Sequence, residues 1–150
     1  MAGPEEIEVT AELVYEDPER ALAWLEAAFG FQTRMVVRDD AQRVMFAEIG
    51  FGETVVAVGP ERPWLRSPRT VGAATQGVRF RILQDIDAHC SRARAAGATI
   101  LREPETFFFG DRSYDAADHE GHAWSFNQRI AEAAGPPPPG WTTRFPKSAG

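Results

Sequence analysis

The two halves of the chain carry the same landmark residues in the same order. Each half has an aspartate before a helical stretch, a glycine after it, and a later glycine between two extended stretches: Asp17 with Asp85, Gly30 with Gly97, and Gly52 with Gly121, at separations of 68, 67 and 69 residues. Repetition at a fixed spacing indicates an internal duplication. The sequence therefore predicts an α+β chain of two tandem βαβββ modules, residues 7–59 and 76–128, with a linker at 60–75 and a proline-rich tail at 129–150.

The hydrophobic pattern in each half changes from period two to a helical period and back. Apolar residues alternate over 7–15 and again over 78–82, which is typical of strands with one buried face. Asp17 followed by proline favours a helix start, and Gly30 favours its end. The second helix is predicted over 85–96, ending before a glycine. Further strands are predicted at 32–38, 43–49, 54–58, 98–102, 111–116 and 122–127.

Composition excludes several classes of partner and compartment. The 150 residues are 43% hydrophobic and 25% charged, with a net charge of −6 and no basic patch, so we expect a soluble globular chain that does not bind nucleic acid. No apolar run is long enough to span a bilayer, and the first residues lack a signal-peptide pattern. Cys90 is the single cysteine, which excludes an intramolecular disulfide and suits a reducing compartment. We expect a cytoplasmic protein with an inert, partly buried thiol, because a nucleophilic cysteine needs an activating base.

Four motifs resemble one known family. Residues 110–114 (GDRSY) and 118–126 (DHEGHAWSF) resemble the closing motif of the vicinal oxygen chelate superfamily, in which G-D-R-x-Y is commonly followed by D-P-E-G-H-x-W-x-F. His119 stands where that motif usually has proline. Residues 13–17 with 27–31, and 85–89 with 94–98, resemble the start and helix end of the two modules.

The resemblance implies a glyoxalase/bleomycin-resistance fold, in which two curled mixed sheets surround a cavity and homodimers are common. The superfamily contains metal-dependent lyases, isomerases and dioxygenases, fosfomycin-modifying enzymes and metal-free drug-binding proteins. Strand residues that face the helix should then be apolar, whereas those that face the cavity can be polar. The cavity or ligand-binding residues predicted in this way, with one tyrosine of the closing motif, are Thr10, Glu12, Phe46, Glu48, Arg79, Arg81, Tyr114 and Ser125.

The positions that hold a metal ion in superfamily enzymes carry no usual ligands in this chain. Counting from the landmarks places them at Thr10, Val56, Arg79 (or Val78) and Ser125. A divalent cation needs about three oxygen, nitrogen or sulfur ligands, so no metal site and no cofactor are predicted. Glu12 and Glu48 are the inward carboxylates that keep a divalent metal open as an alternative. His89 and His119 are expected to be exposed, and His122 to lie in or beside the cavity.

Two roles are open for the charged cavity residues. Glu12, Glu48, Arg79 and Arg81 balance in charge and could form a structural ion-pair network. Alternatively, one arginine could bind a carboxylate or phosphate of a ligand. A possible aromatic rim for flat ligands consists of Trp64, Phe107, Phe108 and Phe109, although ordinary loop packing or a subunit contact would also explain these rings.

The sequence favours a metal-free protein that binds a small molecule, a drug or a metabolite, and resembles bleomycin-resistance proteins. The alternative is a glyoxalase-like or dioxygenase-like metal-dependent enzyme, or one that uses Glu12 or Glu48 as a general base without metal. A third possibility is an interaction domain whose pocket is closed by its own side chains. A homodimer is expected, and the tail with Trp141 and Phe145 is either disordered or docks these rings on its own domain or on a second subunit.

Overall fold

The computed structural model describes residues 6–132 and 135–144, which form two four-stranded sheets, each with one helix. Module 1 contains β1 (Glu12–Tyr15), α1 (Pro18–Phe29), β2 (Gln32–Arg38), β3 (Val44–Phe51) and β4 (Thr54–Pro60). The linker contains a short helix, α2 (Pro68–Val71), that the sequence pattern did not predict. Module 2 contains β5 (Gly77–Arg81), α3 (Ile86–Ala95), β6 (Thr99–Thr106), β7 (Asp111–Ala117) and β8 (Ala123–Arg129).

The two sheets have the same topology, which confirms the predicted α+β fold of two tandem modules. Their strand orders are β1-β4-β3-β2 and β5-β8-β7-β6. In each sheet the first and last strands pair in parallel, and the other neighbours are antiparallel. The landmark aspartates are helix N-caps, since Asp17 accepts from the backbone N–H of Arg20 and Asp85 from that of Asp87. The sheets are not closed into a barrel.

The modules share one hydrophobic core on their helix-facing sides. Of the described helices and strands, α1 of module 1 and α3 of module 2 are the two that pack against each other across the modules. Aromatic rings fill the space between them: the ring of Phe29 lies 4.8 Å from that of Phe126, and the ring of Phe31 lies 5.2 Å from that of Phe80. Each sheet therefore has one face on the shared core and a second face, its outer face, that points away from it.

Glu120 joins both modules to the linker. Its carboxylate is 2% exposed and accepts hydrogen bonds from the backbone N–H groups of Glu16 (2.7 Å) and Asp17 (3.1 Å) and from the hydroxyl of Ser67 (2.7 Å). A buried carboxylate is stable only when its oxygens are satisfied in this way. The closing motif therefore has a structural function at the module junction.

Two segments differ from the predicted strands and tail. The first strand is shorter than the alternation indicated: Ile7 and Val9 are 86% and 91% exposed, and the ladder begins at Glu12. In the tail, residues 135–144 lie outside helices and strands, and Trp141 is 66% exposed. Phe145 lies outside the described residues. None of the described helices is both long and apolar enough to cross a membrane.

Candidate functional site

An open pocket of about 370 Å³ lies on the outer face of module 2. Its polar wall comes from Arg79, Asp115 and Ser125, and its apolar wall from Leu101 and Ala123, whereas the side chains of Val78 and Trp124, which also border it, pack toward the core. This volume is within the usual range for small-molecule sites, about 300–1,000 Å³. The predicted residues Arg79 and Ser125 therefore meet in one pocket.

Arg79, Ser125 and Asp115 form a row across three neighbouring strands. Arg79 lies opposite Ser125 in the β5–β8 pair, and Asp115 lies opposite Ser125 in the β7–β8 pair. Among the described residues the exposed Arg79 has no hydrogen-bond or ion-pair partner. The hydroxyl of Ser125 is buried and also lacks a partner. The row thus contains a guanidinium and a hydroxyl that have no partner among the described residues, on the face that carries the pocket.

The acidic member of the row is neutralised by an arginine on β6. Asp115 accepts a hydrogen bond from Nε of Arg102 at 3.0 Å, and the same guanidinium donates to the hydroxyl of Ser113 at 2.8 Å. It also lies over the ring of Phe107, 4.9 Å from the ring centroid. Arg102 is therefore held on three sides and is not free to bind a ligand.

Further along the same face, the charged side chains pair with one another. Arg81 donates to Asp111 at 3.3 Å, and the side-chain amide of Asn127 donates to the same carboxylate oxygen at 3.0 Å. Asp111 is 5% exposed. Arg81 thus lies on the outer face, as the alternation predicted, but is engaged by a carboxylate of its own module.

The predicted aromatic rim divides into two parts. Phe107 and Phe109 stack with their ring centroids 5.4 Å apart in the β6–β7 loop, and Phe109 is 41% exposed. Phe108 packs against Phe109 with centroids 5.2 Å apart. Trp64 lies instead in the linker, is 78% exposed, and has the guanidinium of Arg62 5.8 Å from its ring centroid. The phenylalanine loop is linked to the pocket row indirectly, because Arg102 lies over the ring of Phe107 and donates to Asp115.

The outer face of module 1 carries the predicted acidic residues among apolar side chains. Strand register places Glu12, Ala57, Glu48 and Met35 in one row, and Phe46 opposite Val37 in the next. Glu12 forms an ion pair with Arg62 of the linker, whereas Glu48 has no partner among the described residues. The ion-pair network of Glu12 and Glu48 with Arg79 and Arg81 is therefore not formed within one chain, because these residues lie on different sheets.

The residues at the family's metal positions do not fit a divalent cation. Register shows that Glu12 opposite Ala57 in module 1 corresponds to Arg79 opposite Ser125 in module 2. The predicted position Val56 instead faces the core. The four side chains at these positions are then Glu12, Ala57, Arg79 and Ser125. They offer one carboxylate, which already pairs with Arg62, and a methyl group, a guanidinium and a hydroxyl. Within 6–132 and 135–144, no group of three or more His, Cys, Asp or Glu is arranged to hold a metal ion. This donor set lacks the ligands that a divalent cation requires.

Two predicted cavity residues lie elsewhere. Thr10 is exposed and precedes β1, outside the hydrogen-bonded ladder, so the cavity assignment for it was wrong. Tyr114 was also placed wrongly: it is fully buried on the helix-facing side of β7, opposite Phe126, and its hydroxyl lies 2.6 Å from Nδ1 of His89 on α3. Alternation along β7 shows the error, since the neighbours of Tyr114, Ser113 and Asp115, lie on the outer face and Tyr114 on the opposite one.

His89 is buried between the modules, contrary to the expected exposure. Its Nε2 lies 2.8 Å from the carbonyl oxygen of Phe29. A carbonyl can only accept, so Nε2 carries the hydrogen, and Nδ1 accepts the hydrogen bond from the hydroxyl of Tyr114. Burial lowers the pKa of His89, against the opposing effect of the bond to Phe29, and burial likewise raises the pKa of Tyr114.

The other histidines and the cysteine are also structural. His119, expected to be exposed, has a side chain only 7% exposed, and its ring stacks on that of Tyr15 with centroids 5.7 Å apart. His122 is buried, with Nε2 2.7 Å from the carbonyl oxygen of Val14. Cys90 is buried, and burial raises the pKa of its thiol, as expected for an unreactive cysteine.

Sequence reasoning missed the acidic side of the pocket. Asp111, Ser113 and Asp115 share the outer face of β7. The signal was present as a period-two pattern, because these residues alternate with Tyr114 and Ala116, which are fully buried.

Comparisons with known proteins agree with this geometry. Residues 7–126 match the Glyoxalase/Bleomycin resistance protein/Dioxygenase superfamily. Among solved structures, TioX from Micromonospora sp. ML1 is 29% identical in sequence with a TM-score of 0.67, and the alignment covers 83% of this chain and 98% of TioX. The fosfomycin resistance protein FosX from Listeria monocytogenes is 14% identical with a TM-score of 0.62, and the alignment covers 82% of this chain and 93% of FosX. At this identity the likeness shows the fold alone.

Curated relatives match a shorter stretch. An uncharacterized protein of Mycobacterium bovis is 35% identical over 66 residues, which is 44% of this chain. The match spans less than half of such relatives, 43% of the Mycobacterium bovis protein and 38% of its counterpart in Mycobacterium tuberculosis. The family match over most of the chain and the shared two-module fold lead to one conclusion. The chain belongs to the glyoxalase/bleomycin resistance protein/dioxygenase superfamily.

Proposed function

We propose that this protein binds a small organic molecule, a drug or a metabolite, without a metal ion, in the pocket on the outer face of module 2. The observation that carries the proposal is the pocket itself: about 370 Å³, with an apolar wall and two unpartnered polar groups, Arg79 and Ser125. Small-molecule sites typically combine a concave apolar surface with a few such polar groups.

The donor set argues against the metal-dependent chemistry found elsewhere in the superfamily. Lyase, isomerase and dioxygenase activities of that type need about three protein ligands and an open position on the metal. Here the corresponding positions include a guanidinium at Arg79, which would repel a cation, and a carboxylate at Glu12 already paired with Arg62. Binding by side chains alone is the function that these residues support best.

A homodimer would close the pocket. The outer faces expose apolar side chains, with Met35 40%, Val37 47% and Leu101 57% exposed. Exposed apolar surface of this kind favours association. Bleomycin-resistance proteins, which the sequence resembles, hold ligands in clefts between two subunits, so we place module 1 of one copy over module 2 of the other. The proposal also places the protein in the cytoplasm, where a lone reduced cysteine such as Cys90 is usual.

The test is a ligand screen with and without chelator. Purified protein is screened by thermal shift against a library of drugs and metabolites, and hits are measured by calorimetry before and after treatment with EDTA. We expect hits whose affinity EDTA leaves unchanged, and metal content far below one equivalent per chain by mass spectrometry. One equivalent of a bound divalent ion, or loss of binding in EDTA, would show that the proposal is wrong.

Sedimentation tests the assembly separately. We expect a dimer at tens of micromolar, roughly the range in which modest interfaces are populated. Met35→Glu places a charge on the apolar part of the proposed interface and should shift the equilibrium toward monomer. A strict monomer in the unmodified protein would contradict the closed pocket.

A further inference from the structure

We propose that the ligand is a monoanion, a carboxylic acid with an apolar body, and that Arg79 and Ser125 bind its carboxylate together on the outer face of module 2. This inference rests on the proposed function and specifies the chemistry of its ligand. It is carried by the two polar groups of the pocket that the fold leaves without partners.

The first group is the guanidinium of Arg79. The neighbouring arginines on this face are engaged, Arg81 by Asp111 and Arg102 by Asp115. Arg79 has no such partner among the described residues, although the whole chain contains 22 acidic residues and carries a net charge of −6. A planar guanidinium suits a carboxylate, which it can bind with two parallel hydrogen bonds.

The second group is the hydroxyl of Ser125. It is buried and has no partner, whereas nearly all buried polar groups in proteins are hydrogen-bonded. Ser125 lies directly opposite Arg79 in the parallel β5–β8 pair, on the same face. Neighbouring strands lie about 5 Å apart, a distance that one carboxylate can bridge between two side chains. The guanidinium and the hydroxyl can therefore donate to the two oxygens of the same group.

The surrounding charges favour one negative charge over two. Asp115 lies beside Ser125 in the same row, and its carboxylate is neutralised by Arg102 at 3.0 Å. A phosphate dianion would bring a second negative charge toward this aspartate with no second free cation to meet it. A carboxylate needs only Arg79 and the hydroxyl of Ser125.

The rest of the pocket defines the body of the ligand. Leu101, which is 57% exposed, and Ala123 supply its apolar wall. An aliphatic or aromatic acid of modest size would bury its apolar part against these side chains, and burial would stabilise it by about 25 cal/mol per Å² of apolar surface. The site is thus suited to a compact amphipathic acid.

The experiment uses three probes that share a naphthyl body and carry a negative, a neutral and a positive polar group: 2-naphthoate, 2-naphthamide and 2-naphthylmethylammonium. Their affinities for the full chain are measured by calorimetry at constant ionic strength. We expect 2-naphthoate to bind tightest. Arg79→Met should weaken its binding roughly 10- to 100-fold, the usual effect of losing a charged hydrogen bond, and leave the amide nearly unchanged. Ser125→Ala should weaken it by roughly 10-fold, the lower end of the range for a hydrogen bond to a charged group.

A matched control separates specific binding from net charge. Arg43→Met also removes one positive charge, but from the β2–β3 hairpin of module 1, where Arg43 pairs with Asp39 and is 76% exposed. It should not change the affinity for 2-naphthoate. Equal losses in Arg79→Met and Arg43→Met would overturn the inference.

Other outcomes also overturn it, in distinguishable ways. Suppose that the ligand screen gives hits, but that neither the hits nor the three probes show a preference for acids. The inference then fails while the proposed function stands. If no small molecule binds at all, the proposed function fails first. If Arg79→Met and Glu48→Gln weaken dimerisation equally and neither alters binding of 2-naphthoate, the guanidinium of Arg79 pairs with Glu48 of a second copy and not with a ligand.

Discussion

The hydroxyl of Tyr15 donates a hydrogen bond to the carboxylate of Asp118 at 2.6 Å, across 103 residues of sequence and between the two modules. Both residues are buried, Tyr15 completely. The same carboxylate oxygen accepts a hydrogen bond from the indole N–H of Trp124 at 3.0 Å. Burial, followed by the charge of Asp118, raises the pKa of Tyr15. The closing motif thus fixes the start of module 1 against module 2.

Removing this hydroxyl should destabilise the fold. Tyr15→Phe keeps the ring and removes the donor, so one oxygen of the buried Asp118 carboxylate loses a hydrogen bond. We expect the free energy of unfolding to fall by about 1.5–3 kcal/mol, the usual range for hydrogen bonds to charged groups. Equilibrium unfolding in urea, with the slope on denaturant concentration unchanged, measures the loss.

Tyr114→Phe is the matched control for that prediction. Tyr114 is also fully buried, but its hydroxyl donates to a neutral imidazole, Nδ1 of His89, at 2.6 Å. Loss of a neutral hydrogen bond should cost less, about 0.5–1.5 kcal/mol. If Tyr114→Phe is as destabilising as Tyr15→Phe, the charge of Asp118 contributes nothing particular to the junction.

Stability should decrease as the pH falls below the usual pKa of histidine. Burial lowers the pKa of both His89 and His119 in the folded protein. The neutral forms are favoured by folding, so their contribution is complete above the unfolded-state pKa, about 6.5, and is lost as the pH falls through the lower folded-state value. Between pH 6.5 and 5 each histidine should cost at most about 1.4 kcal/mol per pH unit.

Urea unfolding at a series of pH values tests this dependence. His89→Gln removes one of the two groups, so the free energy of unfolding of this variant should fall less steeply below pH 6.5, whatever its stability at neutral pH. An unchanged slope would mean that His89 is protonated as easily in the folded chain as in the unfolded one.

The sequence predicted the position of Arg79 correctly because period two is a strong constraint on a regular strand. Apolar Val78, Phe80 and Ile82 alternate with it and pack toward the core. The same rule applied to β7 would have placed Tyr114 on the buried side. His89 could also have been placed, since Ile86, His89, Cys90 and Ala93 are spaced as one face of a helix and are all buried.

The partner of Asp115 could not be predicted in this way. Register shifts on both sides of Arg102 interrupt the pairing of β6 with β7. Such a bulge inserts a residue and resets the alternation, so Leu101 lines the pocket and its neighbour Arg102 still reaches Asp115. Whether an arginine on an outer face is free or engaged depends on these local irregularities, which leave no periodic signal.

Gly110 should tolerate a methyl group far less than Gly72. Both have positive φ, +94° and +91°. A Cβ at Gly110 would lie 2.1 Å from the carbonyl oxygen of Ala131, whereas one at Gly72 would meet nothing within 4 Å. Gly72→Ala should cost about 1–2 kcal/mol for the left-handed conformation alone. Gly110→Ala should cost more than about 3 kcal/mol, because backbone must move as well.

Thermal unfolding of the two variants makes the comparison. Gly110 precedes β7 and follows the phenylalanine loop, whose Phe107 ring packs on the guanidinium of Arg102, so Gly110→Ala should also disturb this contact. Equal melting temperatures for the two variants would show that the chain after β8 moves aside at no cost.

The final prediction concerns Arg79→Met and stability. Arg79 is exposed and has no partner among the described residues, so folding does not depend on its charge. The substitution keeps much of the alkyl chain and should change the free energy of unfolding of the monomer by no more than about 0.5 kcal/mol. If Arg79 instead held a buried carboxylate, its loss would cost about 3–5 kcal/mol.

The same substitution at Arg102 provides the contrast. Its guanidinium donates to Asp115 at 3.0 Å and to the hydroxyl and carbonyl of the buried Ser113 at 2.8 and 3.1 Å. Arg102→Met strands these acceptors and should lower the free energy of unfolding by about 1–3 kcal/mol. Urea unfolding at a protein concentration below the dimer range compares the two variants. A loss at Arg79 as large as that at Arg102 would mean that the guanidinium of Arg79 is bound within the chain and is not available to a ligand.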